Sequence, residues 1–458
     1  MKFVAEACGG EIRRGGGGIG VSNICTDSRR VQPGDLFFAI KGENHDGHDY
    51  LNEAAGNGAA GVVVSQTGAL PAECAVVAVD DVRAALGKFA AAYRRDFALP
   101  MICVAGSNGK TTTKELIAAV LSRKFETLWS EASFNNDIGV PLTLARLEKR
   151  HRAAVIEAGT NHPGELAPLA RMIQPGLGVI TNIGREHLEF FGDVAGVARE
   201  EGALAEQLPP GGALFVNGDN EWSDRLAART RARVVRVGAG EGNDWRAKGV
   251  RLDRAGAAFR VEAPRGKSGG RAELGGRYRI NLLGRHQVTN ALFAVAVGEE
   301  LGLGRSEIRD GLAACPAPKR RLQYWEAGGV RVLDDSYNAN ADSTVAALET
   351  LCELPWPGRR VAVLGDMNEL GAQTEAAHAE AGRRAAELGL GQLFAVGRMA
   401  AVTARAARDA GLGRVMEFAD VESAMKAVKK FLKPGDVVLV KASRAARLER
   451  LAETLKLE

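Results

Sequence analysis

One segment of the chain contains the groups that a phosphate-binding loop needs: Val104-Ala-Gly-Ser-Asn-Gly-Lys-Thr-Thr-Thr113. It lies between a short apolar run and a helical pattern, which is the strand, loop and helix order of such loops. Gly106 and Gly109 let backbone N–H groups turn toward oxyanions, and the helix N-terminus adds partial positive charge. Lys110 can reach the β- and γ-phosphates, and the Thr111 hydroxyl can bind Mg²⁺. The segment therefore predicts a nucleoside triphosphate as ligand.

The spacing within this loop is shorter than the general pattern. The usual G-x-x-x-x-G-K-[ST] would place the first glycine at Val104, whereas the chain has it at Gly106. The alternative interpretation is a glycine-rich turn beside a surface lysine. The position of Gly-Lys-Thr at a strand-to-helix junction favours the phosphate loop.

Two further polar side chains follow predicted strands of the same section. Glu157 ends the apolar run that starts at Ala153, and His187 lies just past a second run, Leu177–Thr181. Open α/β sheets bind ligands where the carboxyl ends of their strands meet. Glu157 could therefore bind Mg²⁺, and His187 could be a second metal ligand. The alternatives are an exposed strand-end acid and a structural or surface histidine.

Other polar segments stand at strand ends or helix starts. Asn290, near the start of a helix, could hydrogen-bond an adenine edge or simply cap and pack. The three loops that follow strands in the last third of the chain could hold a ribose or phosphate, or lie on the solvated surface. They are Leu333-Asp-Asp-Ser-Tyr-Asn-Ala-Asn-Ala-Asp-Ser343, Gly365-Asp-Met-Asn-Glu-Leu-Gly371 and Lys441-Ala-Ser-Arg444.

The composition excludes several classes of protein. A length of 458 residues predicts two to four domains, and a net charge of +4 is too small to favour a nucleic-acid or membrane surface as partner. The six cysteines form no C-x-x-C pair, which fits a reducing cytosol. No apolar run reaches the roughly 18 residues of a membrane span.

Alternating strand and helix patterns predict an α/β fold with a mostly parallel central sheet. We expect domains at 1–82, 83–315 and 316–458. The predicted strands are 36–40, 60–64, 75–79, 102–105, 153–158, 177–181, 213–217, 330–334, 360–364, 392–396 and 437–440, with a β-like stretch over 244–280. The predicted helices are 82–95, 112–124, 194–207, 287–301, 343–351, 375–388 and 421–431.

Together these segments resemble the Mur ligases, the ATP-dependent amide-forming enzymes of peptidoglycan precursor synthesis. The resemblance covers nearly the whole chain, from Thr26-Asp-Ser-Arg29 to Lys441-Ala-Ser-Arg444. The other motifs on which the resemblance rests are Ser133-Phe-Asn-Asn-Asp-Ile-Gly-Val-Pro-Leu-Thr143, Ala158-Gly-Thr-Asn-His-Pro-Gly-Glu165, Asp334-Asp-Ser-Tyr-Asn-Ala-Asn340 and Gly365-Asp-Met-Asn-Glu-Leu-Gly371. The last two point to the family member that joins D-alanyl-D-alanine to UDP-N-acetylmuramoyl-tripeptide.

The resemblance implies a fold, a chemistry and a set of ligands. It implies a small N-terminal domain for the UDP moiety, a central ATPase domain and a C-terminal Rossmann-like domain. It also implies ATP and Mg²⁺ as cofactors, the UDP-linked tripeptide and D-alanyl-D-alanine as substrates, and a cytoplasmic monomer. The expected route transfers the γ-phosphoryl group of ATP to a carboxylate, and the amine then attacks the acyl phosphate.

The resemblance also implies roles for single residues. We expect Lys110, Glu157 and His187 to be catalytic. The expected nucleotide contacts are Gly106, Ser107, Asn108, Gly109, Lys110, Thr111, Thr112, Asn290, Arg321 and Asp335. The expected substrate contacts are Ser28, Arg29, Lys41, Gly42, Asp46 and His48 near uridine, with Asn136, Thr160, Asn161 and Asn338 for the rest of the substrate. The expected metal ligands are Thr111, Glu157, His187 and Glu201.

Glu201 marks a departure from the family pattern. Many Mur ligases carry a carbamylated lysine whose carbamate helps bind the second Mg²⁺. The corresponding stretch here is Val197-Ala-Arg-Glu-Glu-Gly-Ala203, with Glu201 at the lysine position. Our hypothesis is that its carboxylate replaces the carbamate, since both are anionic oxygen ligands. The alternative is a solvated helix acid.

Two other functions compete with this prediction. A sibling ligase would add a different amino acid, although the chain has no D-N-P-R motif of the kind that selects meso-diaminopimelate. A phosphate-loop switch would hydrolyse nucleotide only to change conformation, but the N-K-x-D base-reading motif is absent. Whether the third peptide residue is meso-diaminopimelate or lysine stays open.

Overall fold

Three α/β units follow one another along the chain in this computed structural model, which describes residues 1–65, 68, 73–263 and 273–456. Each unit is built on its own sheet, of five, nine and six strands in chain order. The predicted α/β class is confirmed by these sheets.

The N-terminal sheet has the strand order β1-β5-β4-β3-β2, with β1 antiparallel and the others parallel. Its strands are β1 (Glu11–Arg14), β2 (Ile24–Cys25), β3 (Leu36–Phe38), β4 (Gly61–Val64) and β5 (Ala75–Ala78). Its helices are α1 (Lys2–Cys8), α2 (Leu51–Gly56) and α3 (Val82–Arg94), with short 3₁₀ turns at Ser28–Arg30 and Gly47–Tyr50.

The central sheet has the order β14-β13-β12-β11-β10-β9-β6-β8-β7, parallel from β7 to β12. Its strands are β6 (Met101–Ala105), β7 (Thr127–Trp129), β8 (Ala153–Glu157), β9 (Leu177–Ile180), β10 (Ala213–Asn217), β11 (Arg233–Gly238), β12 (Trp245–Asp253), β13 (Gly256–Glu262) and β14 (Gly276–Ile280). Its helices are α4 (Lys110–Leu121), α5 (Gly139–Leu144), α6 (Leu166–Ile173), α7 (Leu188–Phe191), α8 (Val194–Glu201), α9 (Ala203–Glu206), α10 (Ser223–Ala227), α11 (His286–Glu300) and α12 (Arg305–Ala314).

The C-terminal sheet has the order β15-β16-β20-β17-β18-β19, with only β15 antiparallel among its described strands. Its strands are β15 (Gln323–Ala327), β16 (Val330–Asp335), β17 (Arg360–Leu364), β18 (Gln392–Val396), β19 (Val415–Phe418) and β20 (Val437–Lys441). Its helices are α13 (Ala341–Glu353), α14 (Thr374–Glu387), α15 (Ala400–Asp409), α16 (Val421–Phe431) and α17 (Glu449–Lys456), with 3₁₀ turns at Gly371–Gln373 and Arg444–Ala446.

Strand β6 shows how the central core is arranged. Ile102 and Val104 pack toward α4, α11 and α12, whereas Met101, Cys103 and Ala105 pack toward α5, α6 and α8. Successive side chains of a strand point to opposite faces, so both faces of a parallel sheet must be apolar. This burial fixes the end of β6, from which the phosphate loop emerges.

Most of the predicted elements are confirmed, with one correction. The helix predicted over 194–207 is two helices, α8 and α9, separated at Gly202. The Arg229 guanidinium donates to the carbonyl oxygens of Ala198 at 3.1 Å and Arg199 at 2.7 Å. In a continuous helix the Arg199 carbonyl oxygen would instead accept a hydrogen bond from the backbone N–H four residues later. The β-like stretch 244–280 contains β12, β13 and β14, and its residues 264–272 lie outside the described residues.

The first predicted domain boundary falls at the start of helix α3. Val82, Leu86 and Phe89 of this helix are buried in the core of the N-terminal sheet, whereas Ala90 packs in a core of the central unit. The packing of α3 therefore favours grouping its first turns with the N-terminal unit. The division at residue 82 stays a prediction.

Candidate active site

The phosphate loop connects β6 to α4 and requires both of its glycines. Gly106 has φ +112° and Gly109 has φ +86°, a region that side-chain-bearing residues rarely adopt. A Cβ atom at Gly106 would lie 2.4 Å from the Thr181 hydroxyl oxygen, and one at Gly109 would lie 2.6 Å from Asn290 Oδ1. The loop is thus pressed against its neighbours on both sides.

The segment after β9 holds the phosphate loop in place. Asn182 accepts from Asn108 N through Oδ1 at 2.7 Å and from Ser107 N through its carbonyl oxygen at 2.9 Å. The Thr181 hydroxyl donates to the Asn108 carbonyl oxygen at 2.6 Å. Buried backbone groups that are paired in this way fix the loop before any ligand binds.

Lys110 begins helix α4, and carboxylates surround its ammonium group. Its Nζ lies 3.3 Å from Glu186 Oε2 and donates to the Gly106 carbonyl oxygen at 2.5 Å. Burial lowers the pKa of Lys110, but attraction to Glu186, Glu201 and Glu157 outweighs it, so the pKa is raised. Lys110 is therefore a positive charge held within the phosphate loop.

Glu157, at the end of β8, provides oxygens of the kind that Mg²⁺ prefers. Its Oε1 accepts from the Thr111 hydroxyl at 3.1 Å and from Asn135 Nδ2 at 2.8 Å. Its Oε2 is buried without a hydrogen-bond partner. An unpartnered buried carboxylate oxygen next to a threonine hydroxyl fits a hard cation such as Mg²⁺.

Glu201 lies beneath the phosphate loop and is fully buried. Its Oε2 accepts from Gly106 N at 2.6 Å, and its Oε1 has no partner. Burial raises the pKa of Glu201 to about 8, and the nearby Glu186 adds to the shift, while Lys110 and the Gly106 N–H oppose it. The interpretation of Glu201 as a solvated helix acid is wrong, because the side chain has no exposure to water.

The adjacent Glu200 points to a different loop. Its Oε1 accepts from Leu166 N at 2.7 Å, and its Oε2 accepts from Gly164 N at 2.7 Å. The hydroxyl of Thr160 lies 3.3 Å from Glu200 Oε1. Glu200 thus anchors the 158–165 loop and the start of α6.

His187 lies in the segment after β9 with a left-handed backbone, φ +46°. Its Nδ1 is 2.5 Å from Glu369 Oε2 of the C-terminal unit, and its Nε2 is 4.0 Å from Glu186 Oε2. Across the described residues, no three His, Cys, Asp or Glu side chains are grouped to hold a metal ion. The predicted metal set of Thr111, Glu157, His187 and Glu201 therefore stays a prediction.

One cavity of about 1270 Å³ lies against most of these groups, including Lys110, Glu157 and His187, whereas Gly106, Glu200 and Glu201 are not part of its lining. Glu43 and Arg83 line it from the N-terminal side, the phosphate loop and Glu157 from the centre, and the loops after β16, β17 and β20 from the C-terminal side. The predicted residues that it brings together are Ser107, Asn108, Gly109, Lys110, Thr111, Thr112, Asn136, Glu157, Thr160, Asn161, His187, Asn290, Arg321, Asp335 and Asn338.

The predicted residues of the C-terminal unit are held by local contacts. Asp335 Oδ2 accepts from Lys441 Nζ at 2.5 Å, and Lys441 also donates to the Asn338 carbonyl oxygen at 3.1 Å. The Arg321 guanidinium lies 4.2 Å from the ring centroid of Tyr337. The Tyr337 hydroxyl in turn contacts the Ser133 hydroxyl of the central unit.

The predicted uridine contacts lie apart from this cavity. Ser28 donates to Glu53 Oε2 at 2.6 Å, and Arg29 forms an exposed pair with Asp27. His48 Nδ1 is 2.6 Å from Asp46 Oδ1. These residues, with Lys41 and Gly42, are outside the cavity lining, although Glu43 of the same loop is part of it.

Known proteins match this chain over most of its length. Three family models match: the Mur ligase catalytic domain over residues 20–94, the Mur ligase middle domain over 104–298 and the Mur ligase glutamate ligase domain over 320–444. The Escherichia coli K12 protein named UDP-N-acetylmuramoyl-tripeptide–D-alanyl-D-alanine ligase is 35% identical over 461 residues, which cover 100% of this chain and 98% of that protein.

The chain belongs to the Mur ligase family. A Mycobacterium tuberculosis H37Rv protein with the same name as the E. coli relative is 36% identical and covers 94% of this chain and 91% of its own length. Among solved structures, MurF from Acinetobacter baumannii has a TM-score of 0.89 at 32% identity, covering 100% of this chain and 98% of its own. MurF ligase from Thermotoga maritima in complex with ADP has a TM-score of 0.82 at 26% identity, covering 96% and 98%.

Several residues of this Mur ligase site were not predicted from the sequence. Glu186 is buried beside Lys110, Asn135 binds Glu157, and Asn182 holds the phosphate loop. Glu369 reaches His187 from the C-terminal unit. Glu369 lies in the predicted Gly365–Gly371 loop and Asn135 in the Ser133–Thr143 segment, whereas Asn182 and Glu186 follow the Leu177–Thr181 run. The sequence did not predict any of the four pairings.

Proposed function

We propose that this chain is an ATP-dependent ligase that joins D-alanyl-D-alanine to UDP-N-acetylmuramoyl-tripeptide during peptidoglycan precursor synthesis. The observation that carries the proposal is the single cavity that a phosphate loop shares with walls from all three units. Such a cavity suits a reaction in which a nucleotide, an acyl donor and an amine must meet. The full-length similarity to relatives that are named for this reaction supports the same function.

The proposed reaction has two steps. The γ-phosphoryl group of ATP moves to the terminal carboxylate of the peptide, which releases ADP and forms an acyl phosphate. The amine of D-alanyl-D-alanine then attacks the acyl carbon, and the tetrahedral intermediate expels phosphate. Lys110 neutralises charge on the transferring group, and the backbone N–H groups at the start of α4 orient it.

The proposal assigns the cation-binding and nucleotide-binding groups. Mg²⁺, when bound, would supply further neutralisation of the phosphate charge. Thr111 and Glu157 would hold one ion, and Glu157, His187 and Glu201 a second. In the remainder of the nucleotide site we assign Gly106, Ser107, Asn108, Gly109 and Thr112 to the phosphates, Asn290 to the adenine, and Arg321 and Asp335 to contacts from the C-terminal unit.

The substrate would lie between the N-terminal and central units and reach Asn338 of the C-terminal unit. We assign Asn136, Thr160, Asn161 and Asn338 to the muramoyl-peptide side. The uridine side would be held by Ser28, Arg29, Lys41, Gly42, Asp46 and His48. We further propose a cytoplasmic monomer. None of the helices in the described ranges is both long and apolar enough to cross a membrane.

Phosphate release by the purified protein tests the proposal. ATP and Mg²⁺ are supplied with UDP-N-acetylmuramoyl-tripeptide and D-alanyl-D-alanine, separately and together. We expect release only with both, together with a product heavier by the dipeptide, and loss of both signals in Lys110→Met. Tripeptides ending in meso-diaminopimelate and in lysine are compared as donors.

Two outcomes would favour the competing functions. Turnover only with the UDP-linked dipeptide and a single amino acid would indicate the sibling ligase. Phosphate release that needs neither acceptor nor amine would indicate a nucleotide-driven switch.

A further inference from the structure

The segment 184–189 of the central unit contacts the C-terminal unit near the site. Arg185 donates from its backbone N to Asp342 Oδ2 at 2.7 Å and from its guanidinium to Glu380 Oε2 at 2.6 Å. The Glu189 N–H donates to the Glu369 carbonyl oxygen at 3.0 Å. The segment starts only two residues after Asn182, which holds the phosphate loop. A change in the contact between the central and C-terminal units would therefore affect residues next to the phosphate loop.

Two strained residues meet across this contact. His187 has φ +46° and Glu369 has φ +61°, and both are in the left-handed region that residues with a Cβ seldom occupy. Their side chains bond to each other, with 2.5 Å between Nδ1 and Oε2. Backbone strain of this kind persists where the surroundings impose it, and it concentrates at functional sites. The same hydrogen bond therefore joins two backbone positions of this kind.

The hydrogen bond determines which way the imidazole presents its nitrogens. A carboxylate accepts only, so Nδ1 of His187 must carry the proton that it donates to Glu369. In the neutral ring Nε2 then carries the lone pair, and it lies 4.0 Å from Glu186 Oε2. Glu186 is in turn 3.3 Å from the Lys110 ammonium. The orientation of His187, next to the phosphate loop, thus depends on a residue from another domain.

We propose that Glu369 is a positioning residue through which the C-terminal unit fixes the ring of His187 beside the phosphate loop. The expected effect on turnover rests on the proposed ligase function; the expected tautomer does not. Glu369 need not touch any substrate to act in this way. Carboxylates that orient a functional histidine typically change activity by about 10–100-fold when they are removed.

The tautomer of His187 is the direct test. Full-length protein with ¹⁵N-labelled histidine is examined by long-range ¹H–¹⁵N NMR at pH 8 without metal or nucleotide, and His187→Gln assigns the signal. We expect the proton on Nδ1 in the wild type, a shift toward the Nε2–H form in Glu369→Ala, and recovery of the Nδ1–H form in Glu369→Gln, which keeps an acceptor oxygen. A wild-type ring protonated on Nε2, or one tautomer in all three proteins, would overturn the proposal.

A control at the same interface separates positioning from docking. Glu380→Ala removes a carboxylate that contacts Arg185 but does not touch His187. We expect it to leave the His187 tautomer unchanged, and a changed tautomer would refute the specific role of Glu369. The wild-type measurement alone can also refute the proposal, so it stays testable if a variant fails to fold.

Turnover provides the second readout. We expect kcat to fall about 10–100-fold in Glu369→Ala with KM for ATP changed less than about threefold, and to recover in part in Glu369→Gln. An unchanged kcat in Glu369→Ala would overturn the proposal even if the tautomer moved. If the wild type ligates nothing, the proposed function fails, while the NMR result still decides whether Glu369 fixes the ring.

Discussion

Lys114 is a fully buried lysine, and its replacement by methionine should destabilise the central unit. It lies one helical turn after Lys110 on α4, and its ammonium donates to the carbonyl oxygens of Ser130 at 2.7 Å and Ala132 at 2.9 Å and to Glu115 Oε1 at 2.5 Å. Methionine fills a similar volume but removes every donor. The variant therefore isolates the polar contacts from the packing.

The magnitude follows from the exposure of each partner. Ser130 is fully buried, so its carbonyl oxygen would lose its partner without gaining water, at about 1–3 kcal/mol. Ala132 is exposed and Glu115 is partly exposed, so the Ala132 carbonyl oxygen and the Glu115 carboxylate can hydrogen-bond to water instead. The loss of these two contacts together costs about 1 kcal/mol. The loss of Lys114 also relieves the desolvation of its ammonium, which offsets part of the sum. We expect the free energy of unfolding to fall by about 2–3 kcal/mol.

Urea denaturation measures this effect, and hydrogen exchange assigns the transition to the central unit. Lys124→Met is the matched control, since Lys124 donates to one carbonyl oxygen, that of Gly302 at 2.6 Å, from an exposed position. We expect the control to change stability by about 0.5 kcal/mol or less. A loss below about 1 kcal/mol in Lys114→Met would refute the reasoning, because the Ser130 oxygen would then have found another partner.

Three further predictions concern the site and its supports. Gly109→Ala should lower ATP-dependent phosphate release at least about 10-fold, because its Cβ would lie 2.6 Å from Asn290 Oδ1 at φ +86°; wild-type release would contradict this. Glu201→Ala should raise the Mg²⁺ concentration that gives half-maximal phosphate release about 10-fold or more. Bicarbonate should not stimulate phosphate release by the wild type. An unchanged Mg²⁺ dependence in Glu201→Ala would remove Glu201 from the metal site. Burial lowers the pKa of His378, whose Nε2 accepts a hydrogen bond from Met367 N at 2.9 Å. The neutral ring therefore stabilises the fold fully above pH 6.5, and this stabilisation is lost progressively as the pH falls below 6.5. In His378→Gln the urea midpoint should depend less on pH below 6.5, and an equal slope in both proteins would contradict the assignment.

The sequence predicted the parts of the site that lie close together in the chain. The phosphate loop depends on glycine, lysine and threonine within a few residues, and Glu157 follows directly from a strand end. Lys114 shows the limit of this reasoning. Within a helical pattern a lysine is normally a solvated residue, and only the packing of residues 130–132 over α4 reveals that this one is buried.

Pairings between distant segments could not be predicted from the sequence. Glu186 and Lys110 are separated by 76 positions, and Glu369 and His187 by 182. Nothing in the local pattern of either partner specifies the other, because each pairing depends on strand order and on how two units dock. The break between α8 and α9 was missed for the same reason, since Arg229, which takes the Arg199 carbonyl oxygen, comes from beyond β10.

Helix α8 carries Glu200 and Glu201 side by side, and each carboxylate anchors a different loop. One short rigid element therefore sets the separation between the phosphate loop and the 158–165 loop. Inserting a single residue before Glu200 would rotate both carboxylates by about 100° and release both loops at once. A substitution within one of these loops affects that loop alone. A change in the length of α8 affects both loops, because Glu200 and Glu201 each hold one of them.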